Sequence, residues 1–530
     1  MSLIYFDSNV CTGKRGKKHR REIWKSEDVL SAMDRAGIAG ALVYAGWARD
    51  YAPGYGNERL CEELKKYDRF YGCYVIAPGY TGSFLKPDKF ISDMRSKRMV
   101  AVKMFPQTHI FSPCEDVMGE YYSALEKEGI PLLVDKAQIG WGELSEILSK
   151  HKGLNVLLQG TSWSDFHNLA AYLKKYPNLY TDLSNMQANF AVEIIAKEFG
   201  AERVCMGSGL PLMCPGAARA FIDYAQISNG EKQLMAGGNL ARLCNIPLPA
   251  EATVQNDEIA LEASCGMPIS VPVFDSHTHF LEDGGNCGGG FSMVDGDLQH
   301  MSMLSDIMGV DEYCVAPWLG IWTDSEAGNK IALDMHMRDK RVYPYVLIDP
   351  NYVTDIEKEA YHYHIEEKMP AMKMFYSRTG VRYNDPMFEP WFKIANDNHL
   401  FALMDSGSYP TYLSDMAELA ERYPNISFFL DHAGRNFACA ESYAQLAKKY
   451  DNVYLQLTYT SVPEGVIEYL CEEGLASKTL YGTDTPMRDP RPQLGWVAFA
   501  NISVEDKKKI LGGNMRKIAD KCFKSDFNHM

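Results

Sequence analysis

The chain has 530 residues, a formal net charge of -15, 46% hydrophobic residues and 23% charged ones. A single core stops growing well short of that length, so two domains are expected, each with enough apolar residues to bury a core of its own. The negative balance opposes nucleic acid and anionic lipid at long range, and neither is expected as a partner.

The amino terminus, Met1-Ser2-Leu3-Ile4-Tyr5-Phe6-Asp7, lacks the basic flank and apolar run of a secretory signal. No stretch reaches the roughly 18 apolar residues of a membrane span. The thirteen cysteines are scattered, with no Cys-x-x-Cys pair, which fits reduced thiols and a cytoplasmic protein. Phe6 to Cys11 reads as the first strand. Soon after it stands a concentration of positive charge, Lys14-Arg15-Gly16-Lys17-Lys18-His19-Arg20-Arg21, which suits a solvated loop, a subunit contact or a site that attracts an anion.

Further along, the chain repeats itself at a period of roughly 270 residues, the size of a domain and far above that of a solenoid unit. Phe6-Asp7-Ser8-Asn9-Val10-Cys11 aligns with Phe274-Asp275-Ser276-His277-Thr278-His279. Residues 56–78 align without a gap with 328–350. Ala101-Val102-Lys103-Met104-Phe105 answers Ala371-Met372-Lys373-Met374-Phe375, and Gly237-Gly238-Asn239 answers Gly512-Gly513-Asn514. Short apolar runs alternate with helical stretches, as in Leu400 to Met404, then Leu413 to Tyr423, then Ile426 to Leu430. Strand, helix, strand is the rhythm of a parallel sheet, and about 250 residues per copy is the usual size of a closed eight-stranded barrel. Polar residues clustered after several separate strands favour closure, because only a barrel gathers those strand ends round one mouth. The expected fold class is α/β, with two tandem TIM-like (β/α)8 barrels over 1–247 and 273–530. Residues 248–272, rich in small, acidic and proline residues, are read as the linker.

In the second copy His277 and His279 stand two apart on an apolar strand, so both imidazoles face the barrel interior. Such a pair is a good start for a divalent transition metal. His362 and His364 share the spacing but lie in a helical pattern, where positions two apart diverge, and are read as surface histidines. His432 follows the apolar run 427–431, and Asp484 closes the strand 479–484. A metal lowers the pKa of its bound water, and a carboxylate and an imidazole in reach can take and return protons.

Asp-Ser-His-Thr-His at 275–279, Met-Lys-Met-Phe at 372–375, Asp-His-Ala-Gly at 431–434, Tyr-Gly-Thr-Asp-Thr-Pro at 481–486 and the final Gly-Gly-Asn together resemble the amidohydrolase-related family of metal-dependent barrels. That family includes aminocarboxymuconate semialdehyde decarboxylase, resorcylate-type decarboxylases and pyrone-dicarboxylate lactonase. The resemblance spans nearly all of 273–520 and, more faintly, 3–246. It implies that His277, His279 and Asp484 hold one divalent ion (Zn, Mn or Fe), with His432 as general acid or base. Where the family places another metal-binding histidine, after the fifth strand, this chain has Asp405. Asp405 is therefore either a fourth ligand or the partner of Lys373 in an inward ion pair.

The first copy has Asn9, Cys11, Gly160 and Gly209 in place of His277, His279, His432 and Asp484, yet keeps Lys103 and Asp135 at the spacing of Lys373 and Asp405. It is expected to be a degenerate barrel without a metal, and the surviving pair favours the ion-pair reading of Asp405. Around the second mouth, residues 282–290 form a Gly-rich insertion read as a lid. Trp318, Trp322 and Tyr376 are candidates for an aromatic wall, and Arg378, Arg382, Arg435 and Arg488 for carboxylate recognition, with Lys373 also in reach of substrate. The expectation is a hydrolase acting on a small carboxylated molecule, with His432 and Asp484 as catalytic groups. Non-oxidative decarboxylation by the same residues and a metal-free scaffold are the alternatives, and self-association is left open.

Overall fold

Runs such as Leu132–Asp135 and Ser427–Leu430 are too short for stable helices and apolar almost throughout, as strands buried on both faces must be. In the computed structural model, which describes residues 3–16, 18–282, 292–406 and 411–523, sixteen such segments are strands. The chain divides into two units, Met1–Cys265 and Gly266–Met530. In the first, β1 (Tyr5–Thr12), β2 (Ile38–Ala45), β3 (Phe70–Ile76), β4 (Met99–Met104), β5 (Leu132–Asp135), β6 (Val156–Gln159), β7 (Leu179–Asp182) and β8 (Val204–Cys205) form one parallel sheet in sequence order. In the second, β9 (Phe274–Thr278), β10 (Glu312–Val315), β11 (Val342–Leu347), β12 (Ala371–Met374), β13 (Phe401–Met404), β14 (Ser427–Leu430), β15 (Val453–Leu457) and β16 (Thr479–Tyr481) do the same. Parallel neighbours in sequence order require a helical crossover after each strand, and the alternation of helix and strand supplies it. Both units are (β/α)8 barrels.

Closure is made by the same bonds in each. Cys11 N–H donates to Leu210 O and Gly209 N–H to Asn9 O, at 2.9 and 3.0 Å. In the second barrel Asp484 N–H donates to His277 O at 2.8 Å and His279 N–H to Thr485 O at 2.6 Å. The carboxylates of Asp7 and Asp275 sit under these seams, each accepting two backbone N–H groups, from Asn9 and Ser208 and from His277 and Thr483. Burial pushes their pKa up, to about 6 and about 7.

Two of the repeated motifs turn out to be braces. Asn57 exchanges two hydrogen bonds with Val75, and Asn329 does so with Leu347, tying a helix to the third strand of each barrel. The Asn of each Gly-Gly-Asn, Asn239 or Asn514, donates to two carbonyls flanking the last strand, Ala201 and Val204 or Ala476 and Thr479. The core is carried by strand side chains such as Phe401 and Phe429, stacked at 5.3 Å, each contributing roughly 1.5–3 kcal/mol relative to exposure.

Residues 248–272 carry a helix, Glu258–Ser264, with Ile259 and Ala260 buried in the first unit. One histidine departs from expectation. His362 is half-buried and pairs with Glu366, but His364 is buried, its Nε2 accepting from Trp391 Nε1–H at 2.8 Å. A wide π-helical turn at His362–Glu366 carries position 364 inward, which a regular helical pattern does not anticipate. Of the insertion read as a lid, residues 283–290 lie outside the described residues, as does Lys17. No helix among the described residues is long and apolar enough to cross a membrane.

Candidate metal centre

β9 ends at the mouth of the second barrel, and the period of two along it turns both imidazoles inward. His277 Nδ1 lies 2.8 Å from Gln456 Oε1, while Gln456 Nε2–H₂ is spent on Ser276, so the amide oxygen must accept from the ring. His279 Nδ1 donates to Ala316 O at 2.9 Å. Both Nε2 atoms are thereby left with lone pairs aimed at one place, 2.9 Å apart. Burial holds His279 neutral, with its pKa down to about 3, and the charge of Lys373 acts in the same direction.

Asp484 completes a triangle, its Oδ1 lying 3.3 Å from His277 Nε2 and 3.1 Å from His279 Nε2. Its other oxygen is held by Arg488, which also donates from Nε to Thr460 Oγ1 at 2.8 Å. Arg488 keeps the carboxyl far below its usual range against the burial that would raise it. Ligand atoms bound at about 2.0–2.2 Å to one ion stand roughly 2.9–3.5 Å apart for angles between octahedral and tetrahedral. Two imidazole nitrogens and one carboxylate oxygen at these separations fit a single divalent cation.

Lys373 places its ammonium against the same atoms, 2.8 Å from His277 Nε2 and 3.3 Å from His279 Nε2. Two facing lone pairs repel, and a cation between them relieves the repulsion. Burial lowers the pKa of Lys373 to about 8. Asp405 does not join this triangle. One of its carboxylate oxygens groups instead with a carboxylate oxygen of Asp431 and a ring nitrogen of His432, all within 4.8 Å of one another, and it accepts from Ser377 Oγ at 3.3 Å.

His432 faces the site from the turn after β14. Thr458 Oγ1 donates to Asp431 Oδ1 at 2.8 Å and lies 2.7 Å from His432 Nδ1, so that ring nitrogen carries the hydrogen. Nε2 stands 3.0 Å from Asp431 Oδ2. Burial lowers the His432 pKa to about 4, while Asp431 pulls the other way. Asp431, whose carboxyl is held low by the neighbouring histidines, is also 3.5 Å from His277 Nδ1.

Three residues of this mouth adopt the left-handed backbone that favours glycine: His432 at φ 56°, Asp484 at 70° and Tyr459 at 96°. Tyr459 packs edge-on to His432 at 5.1 Å and lies between the guanidinium groups of Arg435 and Arg488, each 5.1 Å from its ring. Trp318 packs against His279 at 5.4 Å and Trp322 against Trp318 at 5.3 Å, with Arg378 over the Trp322 ring. Tyr376 turns towards Tyr383, 6.5 Å between rings. Of the other arginines, Arg488 is committed to Asp484 and Arg382 to Asp415, while Arg435 donates to Ser406 Oγ at 2.5 Å. Asp431, Gln456, Thr458 and Tyr459 were not singled out by sequence reasoning. The one signal was a polar Gln inside the apolar strand 453–457.

Residues 320–518 match the family model described as amidohydrolase. The match lies within the second barrel; it begins beyond His277 and His279 and covers Lys373, Asp405, His432 and Asp484. Among curated proteins none matches the chain. Similar solved structures include 5-carboxyvanillate decarboxylase from Sphingomonas paucimobilis, at 16% identity over 46% of this chain and 100% of that one, TM-score 0.36. The enzyme of the same name from Novosphingobium aromaticivorans, solved with bound manganese, is 14% identical over 46% of this chain and 97% of its own, TM-score 0.39. A putative 2-pyrone-4,6-dicarboxylic acid hydrolase from Pseudomonas putida is 14% identical over 46% and 98%, TM-score 0.37.

Proposed function

We propose that the second barrel is a metal-dependent hydrolase of a small carboxylated substrate, of the amidohydrolase kind that residues 320–518 match. The observation that carries this reading is the triangle of His277 Nε2, His279 Nε2 and Asp484 Oδ1, with edges of 2.9, 3.3 and 3.1 Å. These three residues would hold one divalent ion, which when bound supplies Lewis acidity and a water acidic enough to ionise near neutral pH. His432 and Asp431 form the proton store beside it. A proton taken up at His432 Nε2 is shared at once with Asp431 Oδ2, 3.0 Å away, and can be returned to a leaving group. Asp484 orients through Oδ1 because Arg488 fixes Oδ2. Arg435, at the rim beside Ser406 and Tyr459, is the arginine assigned to a substrate carboxylate. Trp318 forms the apolar wall beside His279.

The test uses protein purified without added metal. Elemental analysis should find about one equivalent of Zn, Mn or Fe, lost in His277→Ala. Lactone, ester and amide panels run in ¹⁸O-water should put the label into a product carboxylate. Neither protein holding metal would overturn the centre. Carbon dioxide release without label incorporation would keep the centre and replace hydrolysis by decarboxylation.

A further inference from the structure

The loop that leaves β1 in the first barrel collects cations in a chain whose net charge is -15. Its side chains do not simply fan into solvent. Lys14, Arg15, Lys18 and Arg20 line a hollow of about 330 Å³ together with His19 and Trp24, and among the described residues the one carboxylate in its wall is Glu22. That carboxylate is already paired, with Arg15 Nη2 at 2.7 Å. Arg15 is buried and clamped, donating also to Ile23 O at 3.3 Å, yet its Nε is buried with no acceptor. Lys14 is steered by Trp24, its ammonium 5.3 Å from the ring centroid. A concave, preorganised set of cationic donors with an unsatisfied guanidinium N–H is a design for a compact oxyanion of more than one charge.

The neighbouring mouth of the same barrel is a cavity of about 700 Å³, to which Gly16 of this loop contributes. Its charged lining residues are neutralised, Arg49 and Asp50 by one another at 2.7 Å and Asp135 by Lys103 at 2.9 Å, leaving amides, hydroxyls and the rings of Tyr44 and Phe105 to meet a ligand. We propose that the β1 loop is a phosphate-recognition site for a small phosphorylated organic molecule, with the phosphate in the basic hollow and the uncharged remainder in the mouth. Long polyanions and anionic membranes are disfavoured by the overall charge, which a small ligand in a local hollow escapes. This assignment is independent of the chemistry of the second barrel.

Calorimetric titration of the full chain at low salt with inorganic phosphate, pyrophosphate and phenyl phosphate tests it. One saturable site is expected, tighter for phenyl phosphate than for inorganic phosphate. Lys18→Glu combined with Arg20→Glu, both at exposed positions, should weaken it at least tenfold, roughly the loss of one charge-assisted contact, with unchanged circular dichroism and Tm. Arg15→Lys, which removes the unsatisfied Nε–H, should weaken it as well. Absence of saturable heat, or equal affinity in the double variant, would overturn the site. Phenyl phosphate binding no tighter than phosphate would overturn the organic ligand, and tighter binding of single-stranded DNA or phosphatidylserine vesicles would overturn the small one.

Discussion

The mouths of the two barrels share a backbone and differ in what hangs from it. At the two positions where the second barrel carries His432 and Asp484, at φ 56° and 70°, the first carries Gly160 and Gly209, at 64° and 74°. The turn is the same, and only one barrel bears the strain of a side chain there, about 1–2 kcal/mol per residue. At the floor, Lys103 pairs with Asp135 and also donates to Gln159 at 2.8 Å and Asn9 at 3.3 Å, whereas Lys373 turns to the two imidazoles. Asn9 donates to Asp182 where His277 leans on Gln456. The first barrel thus ties its lysine and asparagine to neighbouring amides and carboxylates. The second turns two imidazole nitrogens towards one another and towards the Lys373 ammonium instead.

The strongest way to break this comparison is to remove one of the proposed ligands. His277→Ala or Asp484→Asn should lower turnover by about 10³-fold or more and abolish bound metal, read by steady-state rates and elemental analysis. Asn9→Ala, the matching change in the first barrel, should leave both unchanged. Next in size, Lys103→Met leaves Asp135 without its cation and should cost about 2–3 kcal/mol in denaturant unfolding, discounted for the partial exposure of Asp135, with metal content intact. Gln456→Leu removes the acceptor that fixes the His277 tautomer and should weaken metal binding about 10–100-fold in a competition titration. The smallest effects isolate strain. Gly160→Ala meets no atom within 4 Å yet sits at φ 64°, so it should destabilise by about 1 kcal/mol through the backbone alone. Conversely His432→Gly should be more stable than His432→Ala by about 1 kcal/mol, since both delete the imidazole and only glycine is at ease at that φ. Equal Tm values within either pair would remove strain from the account.

The tandem barrels were legible because strand spacing and the repeated Asp, Lys and Gly-Asn positions follow from local chain geometry. That His277, His279 and Asp484 converge could be anticipated, because His-x-His on a strand and an Asp after the last strand point to one mouth. What escaped was the pairing across the mouth. Asp405 belongs with Asp431 and His432 because of where the ends of β13 and β14 lie in space, which strand order alone does not give. The Lys373 partner was drawn from the first barrel, where no converging imidazoles compete for the ammonium. Gln456 and Thr458 act by orienting ring nitrogens, a task that leaves no spacing signature.

The left-handed turns shared by both mouths have a practical corollary. Because the first barrel already bends its chain as the second does, it is a spare template for a second centre. Asn9→His, Cys11→His, Gly160→His and Gly209→Asp would place new donors on a backbone already shaped for them. A new Cβ at position 160 finds open space, and one at 209 first meets the flexible Met213 sulfur, at 3.2 Å.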